Sequence, residues 1–162
     1  MKKVIVVLLV VVFGTGSYCA NAQNRDKVYM LNTSMIKSDG AAVRATRDLW
    51  KRIGDQKEEA WYKLPKGYLA VYTEGGIESR YVYDNRGAWM YTLLTYQEKE
   101  MPKEVRKIVK SEYYDYAITW VKEVRQGEDL AYVVHVENEK EWRDLSVQDG
   151  DIRVLKAVDK QK

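Results

Sequence analysis

The residues that could carry chemistry in this chain are few, and its single histidine limits what they could do. His135 is the only histidine, so a Ser-His-Asp arrangement would need it as the base. No G-x-S-x-G sequence, which typically presents a serine nucleophile, occurs in the chain. One imidazole with scattered carboxylates is also a poor ligand set for a transition metal. The sequence therefore predicts no catalytic residue and no metal site, with a hydrolase built around His135 left as an alternative.

Two turn-like sequences, "YDNRG" at 83–87 and "QDGD" at 148–151, concentrate carboxylates and amides. They lack the spaced oxygens and the closing glutamate of a calcium loop, and turn chemistry by itself accounts for Asp, Asn and Gly there. The glycines of "EGG" at 74–76 do not have the spacing of a phosphate-binding loop. We therefore expect no cofactor.

The N-terminus has the pattern of an export signal. Two lysines precede an apolar run at 4–13, and Ala20-Asn21-Ala22 fits the small-x-small pattern of a cleavage site after Ala22. The run is shorter than the roughly 20 residues that span a membrane. Cys19 follows the bulky Tyr18, which does not suit a lipid-attachment site, so we expect it to leave with the signal peptide. The predicted location is periplasmic or extracellular.

The predicted organisation is a signal peptide at 1–22, an irregular lead-in at 23–37 and a single domain at 38–162. The chain has 27 Lys and Arg against 24 Asp and Glu, and losing Lys2 and Lys3 would bring it close to neutral. Charges of both signs are mixed along the chain without a polybasic arm. Nucleic acid is therefore not an expected partner, and neither is membrane insertion after signal removal.

Helical and strand-like patterns alternate along the domain. Residues 38–54 predict a helix capped by Ser38 or Asp39, and Pro102 suits the first position of a second helix. Alternating apolar runs separated by turn sequences predict four strands after each helix. The predicted strands are 60–64, 68–73, 77–84, 88–96, 117–124, 130–137, 141–148 and 152–158.

This order, together with local similarities such as "WYK" at 61–63 and "WVK" at 120–122, indicates an internal duplication. We predict an α+β fold of two repeated helix-plus-four-stranded antiparallel sheet units, at about 38–100 and 101–160. Each helix would cover one face of its sheet. Whether the two sheets join edge to edge or pack face to face is left open.

Three segments carry a resemblance to a known family. They are "GYLAVYTEGGIESRYVYDNRGAW" at 67–89, "MPKEVRKIVK" at 101–110, and "WVKEV" with "YVVHVE" within 120–137. In these the chain resembles the beta-lactamase-inhibitor-like, PepSY-like family of secreted bacterial proteins. The resemblance implies helix-plus-antiparallel-sheet units, an exported location and a role in binding or inhibiting another protein, and it brings no catalytic residues.

Turn geometry assigns the strand residues to two faces. If "DNRG" is a four-residue turn, Tyr83 pairs with Ala88 and Val82 with Trp89, and the faces alternate from there. One face then carries no formal charge, whereas the other carries charged residues that include Arg80. Because an unpaired charge is costly to bury, we expect the helix to cover the uncharged face.

The open face is therefore the predicted functional surface. In the first half it should hold Arg80, Trp89 and Tyr91, and a two-residue "DG" turn puts Trp142 and His135 on the same kind of face in the second half. Aromatic residues make up 12% of the chain, and Tyr, Trp and Arg are common anchors of protein interfaces. Aromatic residues also suit strands without any partner.

The predicted function is that of an exported, non-enzymatic and inhibitor-like module that binds another protein or peptide through Arg80, Trp89, Tyr91 and Trp142. One alternative is a structural or stress-related envelope protein whose aromatic residues are covered by its own residues 23–37. The other is the hydrolase, which would need a concave cluster of carboxylates around His135.

Overall fold

The computed structural model describes residues 28–54 and 58–160 of the 162-residue chain. The predicted signal peptide at 1–22 lies outside these residues, and so does the start of the predicted lead-in. Within them, no helix is both long and apolar enough to cross a membrane.

Nine strands of the described residues form one antiparallel sheet, in which each strand pairs with the next along the chain. This meander follows from the sequence pattern, because tight turns between alternating apolar runs join antiparallel neighbours. The strands are β1 (Tyr29–Leu31), β2 (Ala60–Leu64), β3 (Gly67–Glu74), β4 (Ile77–Asp84), β5 (Trp89–Tyr96), β6 (Ala117–Gln126), β7 (Asp129–Glu137), β8 (Glu141–Gln148) and β9 (Asp151–Asp159).

The helices of the described chain are α1 (Thr33–Ser38), α2 (Gly40–Ile53) and α3 (Lys103–Glu112), with a 3₁₀ turn at Glu98–Glu100. Asp39 caps α2, because its carboxylate accepts hydrogen bonds from the backbone N–H groups of Ala41 and Ala42. Gly54 ends α2 with a φ of 80°, a backbone conformation that glycine adopts without strain.

Both longer helices lie on the same face of the sheet, here termed the helix face, and each covers its own apolar cluster. The α2 cluster comprises Ala42, Ala45, Leu49, Trp61, Tyr68, Ala70 and Tyr83. The α3 cluster comprises Tyr96, Met101, Val105, Val109, Tyr113, Ile118, Val121, Tyr132, Val134, Val136, Leu145 and Val147. The opposite side of the sheet is termed the open face.

All eight predicted strands are present, and three of them, β2, β4 and β8, have the predicted bounds. The strands form a single continuous sheet, because β5 pairs edge to edge with β6, one of the two arrangements that the sequence left open. The predicted α+β class needs correction, because the described chain is mostly β. That the two halves are repeats of one unit stays a prediction.

The predicted irregular lead-in also differs from the structure where it is described. Residues 29–31 add a strand to the free edge of β2, with Leu31 opposite Trp61, and residues 33–38 form α1. Asn32 caps this short helix by accepting a hydrogen bond from the backbone N–H of Met35. Hydrogen bonding to an exposed strand edge thus orders a segment that has little periodicity of its own.

The connection between β4 and β5 is not the predicted simple turn. The register shifts between Val82 and Tyr83, so that Tyr83 pairs with Trp89 and Val82 with Tyr91. Met90 becomes the extra residue of a β-bulge. Because side chains alternate with a period of two, the bulge moves Trp89 to the helix face and leaves Tyr91 on the open face.

Candidate functional site

The open face carries no helix in the described part of the chain. One cross-strand row on it consists of Val71, Arg80, Leu93, Val124 and Ala131. On β7, Ala131 and Val133 are each only 3% exposed, although neither α2 nor α3 covers this face. Side chains of the neighbouring strands therefore cover Ala131 and Val133. The larger side chains on and beside β7 form the exposed surface of this face.

Three aromatic rings stack across β6, β7 and β8 on this face. Trp120 lies opposite His135, with ring centroids 5.1 Å apart and ring planes 16° apart. Trp142 lies on the other side of His135, also at 5.1 Å between centroids, with planes 33° apart. Each ring restricts the rotation of its neighbour, so this aromatic ladder (Trp120, His135 and Trp142) is a preformed surface.

Positive charge flanks the aromatic ladder at both ends. Lys122 Nζ lies 4.7 Å from the ring centroid of the first tryptophan, and Lys156 Nζ lies 4.8 Å from that of the second. Among the described residues, Lys122, Lys156 and the nearby Arg153 form ion pairs with no carboxylate. The ladder is therefore an apolar strip between cations that are free to meet an anionic partner.

His135 is held in place within the aromatic ladder. Its Nδ1 lies 2.6 Å from Oδ1 of Asp144, and because a carboxylate only accepts hydrogen bonds, Nδ1 carries the proton. Glu137 is the other acidic residue near the ring, and the hydrogen bond from Lys160 Nζ, 2.7 Å away, lowers the pKa of Glu137. The hydrogen bond to Asp144 therefore fixes the orientation and the tautomer of the His135 ring.

No group of three or more potential metal ligands occurs among the described residues. The concave carboxylate cluster that a hydrolase would need around His135 is reduced there to Asp144 and the paired Glu137.

Arg80 and Tyr91 also lie on the open face, where the sequence alternation placed them, but they are distant from the aromatic ladder. Arg80 Nε donates to Oε1 of Glu78 at 2.7 Å. Tyr91 is half-buried, and this burial raises the pKa of its hydroxyl. Arg80 on β4 and Trp142 on β8 are four strands apart, about 19 Å at the usual spacing. The four predicted site residues therefore do not form one cluster.

Trp89 was predicted on the open face, and that prediction is wrong. Its ring packs on the α2 cluster, with the guanidinium carbon of Arg52 4.3 Å from the ring centroid. Its Nε1 donates to the hydroxyl of Thr92 at 3.0 Å. The bulge at Met90 is the physical cause, because one extra residue reverses the alternation of everything before it on β5.

Trp120, Lys122 and Lys156 belong to the site but were not predicted. Trp120 could have been found, because pairing back from a two-residue turn at Gly127 and Glu128 puts it opposite His135. Lys156 could not have been found in this way, because a register shift between β8 and β9 brings it to the open face.

The described part of the predicted lead-in does not cover these aromatic residues. β1 lies at the β2 edge of the sheet, several strands away from the aromatic ladder, and Ile36 of α1 packs against the α2 cluster on the helix face.

Comparison with protein-family models and with curated proteins gives no match. Solved structures do match. A BLIP-like protein from Bacteroides fragilis is 21% identical, with a TM-score of 0.55 over 72% of this chain and 84% of that protein. A DUF2874 family protein from Bacteroides ovatus is 18% identical, with a TM-score of 0.57 over 72% of this chain and 85% of that protein.

A third solved structure, named as a candidate periplasmic protein from Bacteroides eggerthii, is 17% identical with a TM-score of 0.56. At these identities the likeness shows the fold alone, and the fold is BLIP-like, that is, beta-lactamase-inhibitor-like. The BLIP-like fold agrees with the beta-lactamase-inhibitor-like part of the resemblance seen in the sequence. The PepSY-like part has no counterpart among these neighbours and stays a prediction.

Proposed function

We propose that the protein is an exported, non-enzymatic binding module that holds another protein against its open face. The observation that carries the proposal is the aromatic ladder between unpaired cations. Trp and Tyr supply large contact areas with little loss of side-chain freedom, and stacking has already restricted the ladder rings. A partner therefore meets a surface that needs little reorganisation on binding.

The charge of this surface defines the partner's chemistry. Lys122 and Lys156 flank the ladder, Arg153 lies further along β9 opposite Ser146, and the carboxylates of Asp144 and Glu137 are occupied by His135 and Lys160. A complementary surface has apolar groups to cover the tryptophans and carboxylates to meet the cations. Arg80 and Tyr91 are far enough away to act as a second contact for a partner that spans several strands.

An inhibitor-like role is the most specific form of this proposal. The BLIP-like name belongs to a neighbour of 21% identity, so it supports this role only through the fold. A periplasmic location is proposed on two grounds, the signal-like N-terminus and the neighbour named as a candidate periplasmic protein.

The proposal is tested by capture followed by direct binding. Tagged full-length protein, expressed in its native host and recovered from the envelope fraction, serves as bait, and mass spectrometry identifies what it retains. A Tyr91→Ala/Trp142→Ala variant removes open-face rings. A Tyr114→Ala variant is the matched control, because Tyr114 is 80% exposed and lies outside the sheet.

We expect a captured protein to bind wild type and control alike, and to bind the open-face variant at least about tenfold more weakly, since truncated interface anchors typically cost more than 1 kcal/mol. If the captured protein is an enzyme, inhibition is tested by comparing its catalytic rate with and without added bait. A beta-lactamase is the first enzyme to try. Equal binding by all three baits would exclude the open face. If folded bait retained no protein, the alternative of a structural envelope protein would be favoured.

A further inference from the structure

A groove of about 1060 Å³ lies on the other side of the sheet from the aromatic ladder. The chain segment 97–101 forms one wall, one side of α3 forms the other, and the start of β6 closes the end with Ile118 and Thr119. None of the residues proposed above to bind a partner lines it. A ligand in this groove would therefore act independently of the open face.

Cationic side chains line the α3 wall at helical spacing. They are Lys103, Arg106, Lys107 and Lys110. Two are occupied, because Arg106 Nε donates to Glu98 Oε1 at 2.7 Å and Lys110 Nζ donates to the carbonyl of Tyr116. The other two, Lys103 and Lys107, have no ion pair or hydrogen-bond partner among the described residues.

The spacing of the two free lysines favours two separate anions over a single one. Lys103 and Lys107 are one helical turn apart, a rise of about 6 Å. A single phosphate would need donors that converge on one point. Side chains two residues apart on one face of an extended peptide are separated by about 6.6 Å, which matches the lysine spacing.

We propose that this groove binds an acidic peptide segment in extended conformation, with carboxylates at alternate positions. Two carboxylates meet Lys103 and Lys107, and the intervening apolar side chains rest near Met101 and Ile118. The partner is a polypeptide with exposed acidic residues in a strand-like or unfolded stretch.

The test measures binding of a fluorescent Glu-Val-Glu-Val-Glu peptide to the full-length protein by anisotropy at low and moderate salt. A Gln-Val-Gln-Val-Gln peptide is the ligand control. Lys103→Glu/Lys107→Glu reverses the free cations, and Lys66→Glu/Lys140→Glu is the matched variant with the same change in net charge at two turns outside the groove.

We expect the acidic peptide to bind and the glutamine peptide not to. The Lys103/Lys107 variant should weaken binding at least about tenfold, and the matched lysine variant less than about twofold. Equal losses in both lysine variants would reduce the effect to net charge and overturn the proposal. Competition by inorganic phosphate as effective as that by peptide would overturn it as well. The proposal would also be overturned if the protein bound anionic phosphatidylglycerol vesicles but not the acidic peptide, and if the Lys103/Lys107 variant lost this vesicle binding.

Discussion

Trp89 shows what a single side chain contributes once its face is known. It is half-buried beneath the guanidinium of Arg52 and donates to Thr92, so it joins α2 to the sheet. We expect Trp89→Ala to lower the free energy of unfolding by about 2–4 kcal/mol, because it leaves a cavity beside the α2 cluster. Urea unfolding followed by far-UV circular dichroism measures this loss.

Met90 provides the control for Trp89. It is the neighbouring bulge residue and is 45% exposed, so Met90→Ala should change stability by less than about 0.5 kcal/mol. If the two variants were equally stable, Trp89 would not be a packing residue. It would then return to the set of residues free to bind a partner.

Asp39 links the stability of the fold to pH. Its carboxylate caps α2 and accepts a hydrogen bond from the hydroxyl of Tyr68, and these bonds, with that from Tyr68 largest, lower the pKa of Asp39 below its usual value of 3.8. A lowered pKa in the folded state stabilises the protein above the unfolded-state pKa. That contribution is lost as the pH falls through the folded-state pKa.

Asp39→Asn separates charge from capping, because Asn is an equally good helix cap. We expect the variant to be less stable than wild type at pH 7 and the difference to shrink as the pH falls below about 4, as the pKa of the carboxyl predicts. Thermal unfolding of both proteins between pH 2.5 and 7 measures this difference in stability. A constant difference over that range would show that the Tyr68 hydrogen bond does not depend on the charge of Asp39.

At the scale of elements, the turn between β4 and β5 is a contact surface for α2. Asp84 accepts hydrogen bonds from the backbone N–H groups of Arg86 and Ala88, and Arg44 Nε of α2 donates to the carbonyl of Arg86. Gly87 lies against the helix, where an added Cβ would be 2.2 Å from the carbonyl oxygen of Ala41. The "DNRG" sequence therefore has a structural role.

Gly87→Ala should be strongly destabilising for two reasons, a φ of 80° and the overlap with α2. Gly76→Ala has a similar φ of 84° but meets nothing within 4 Å, so it isolates the backbone strain. We expect Gly76→Ala to lower the free energy of unfolding by about 1–2 kcal/mol, and Gly87→Ala to lower it by at least about 2 kcal/mol more. Urea unfolding measures both losses. Similar losses in both variants would mean that the turn does not pack on α2 in solution.

The existence of β2–β9 and the approximate ends of these strands could be predicted from the sequence, because turn residues and alternation are local signals. The face of a residue could be predicted only where the register is regular, which is why Trp142 was placed correctly and Trp89 was not. A bulge depends on how a turn packs against another element, here Gly87 against α2. Likewise, the joining of the two halves into one sheet depends on the β5–β6 pairing, for which the sequence carries no local signal.

For the whole molecule, the continuous sheet is supported by two clusters that share no residue among the described ones. The α3 cluster contains twelve buried residues and the α2 cluster seven, so the β2–β4 half is held by less apolar burial. We therefore expect β2–β4 to open at a lower free energy than β7–β8, without unfolding of the α3 half.

Matched leucine substitutions distinguish this opening from global unfolding, because Leu49 and Leu145 are both fully buried. Leu145→Ala should lower hydrogen-exchange protection in β7 and β8 by about 2–5 kcal/mol and leave β2–β4 unchanged, since Leu145 stays packed in the partly open state. Leu49→Ala should lower protection in both halves, because Leu49 is released in the partial and in the global opening alike. Equal effects of Leu145→Ala on β2–β4 and β7–β8 would instead mean that the pairing of β5 with β6 makes the sheet a single cooperative unit.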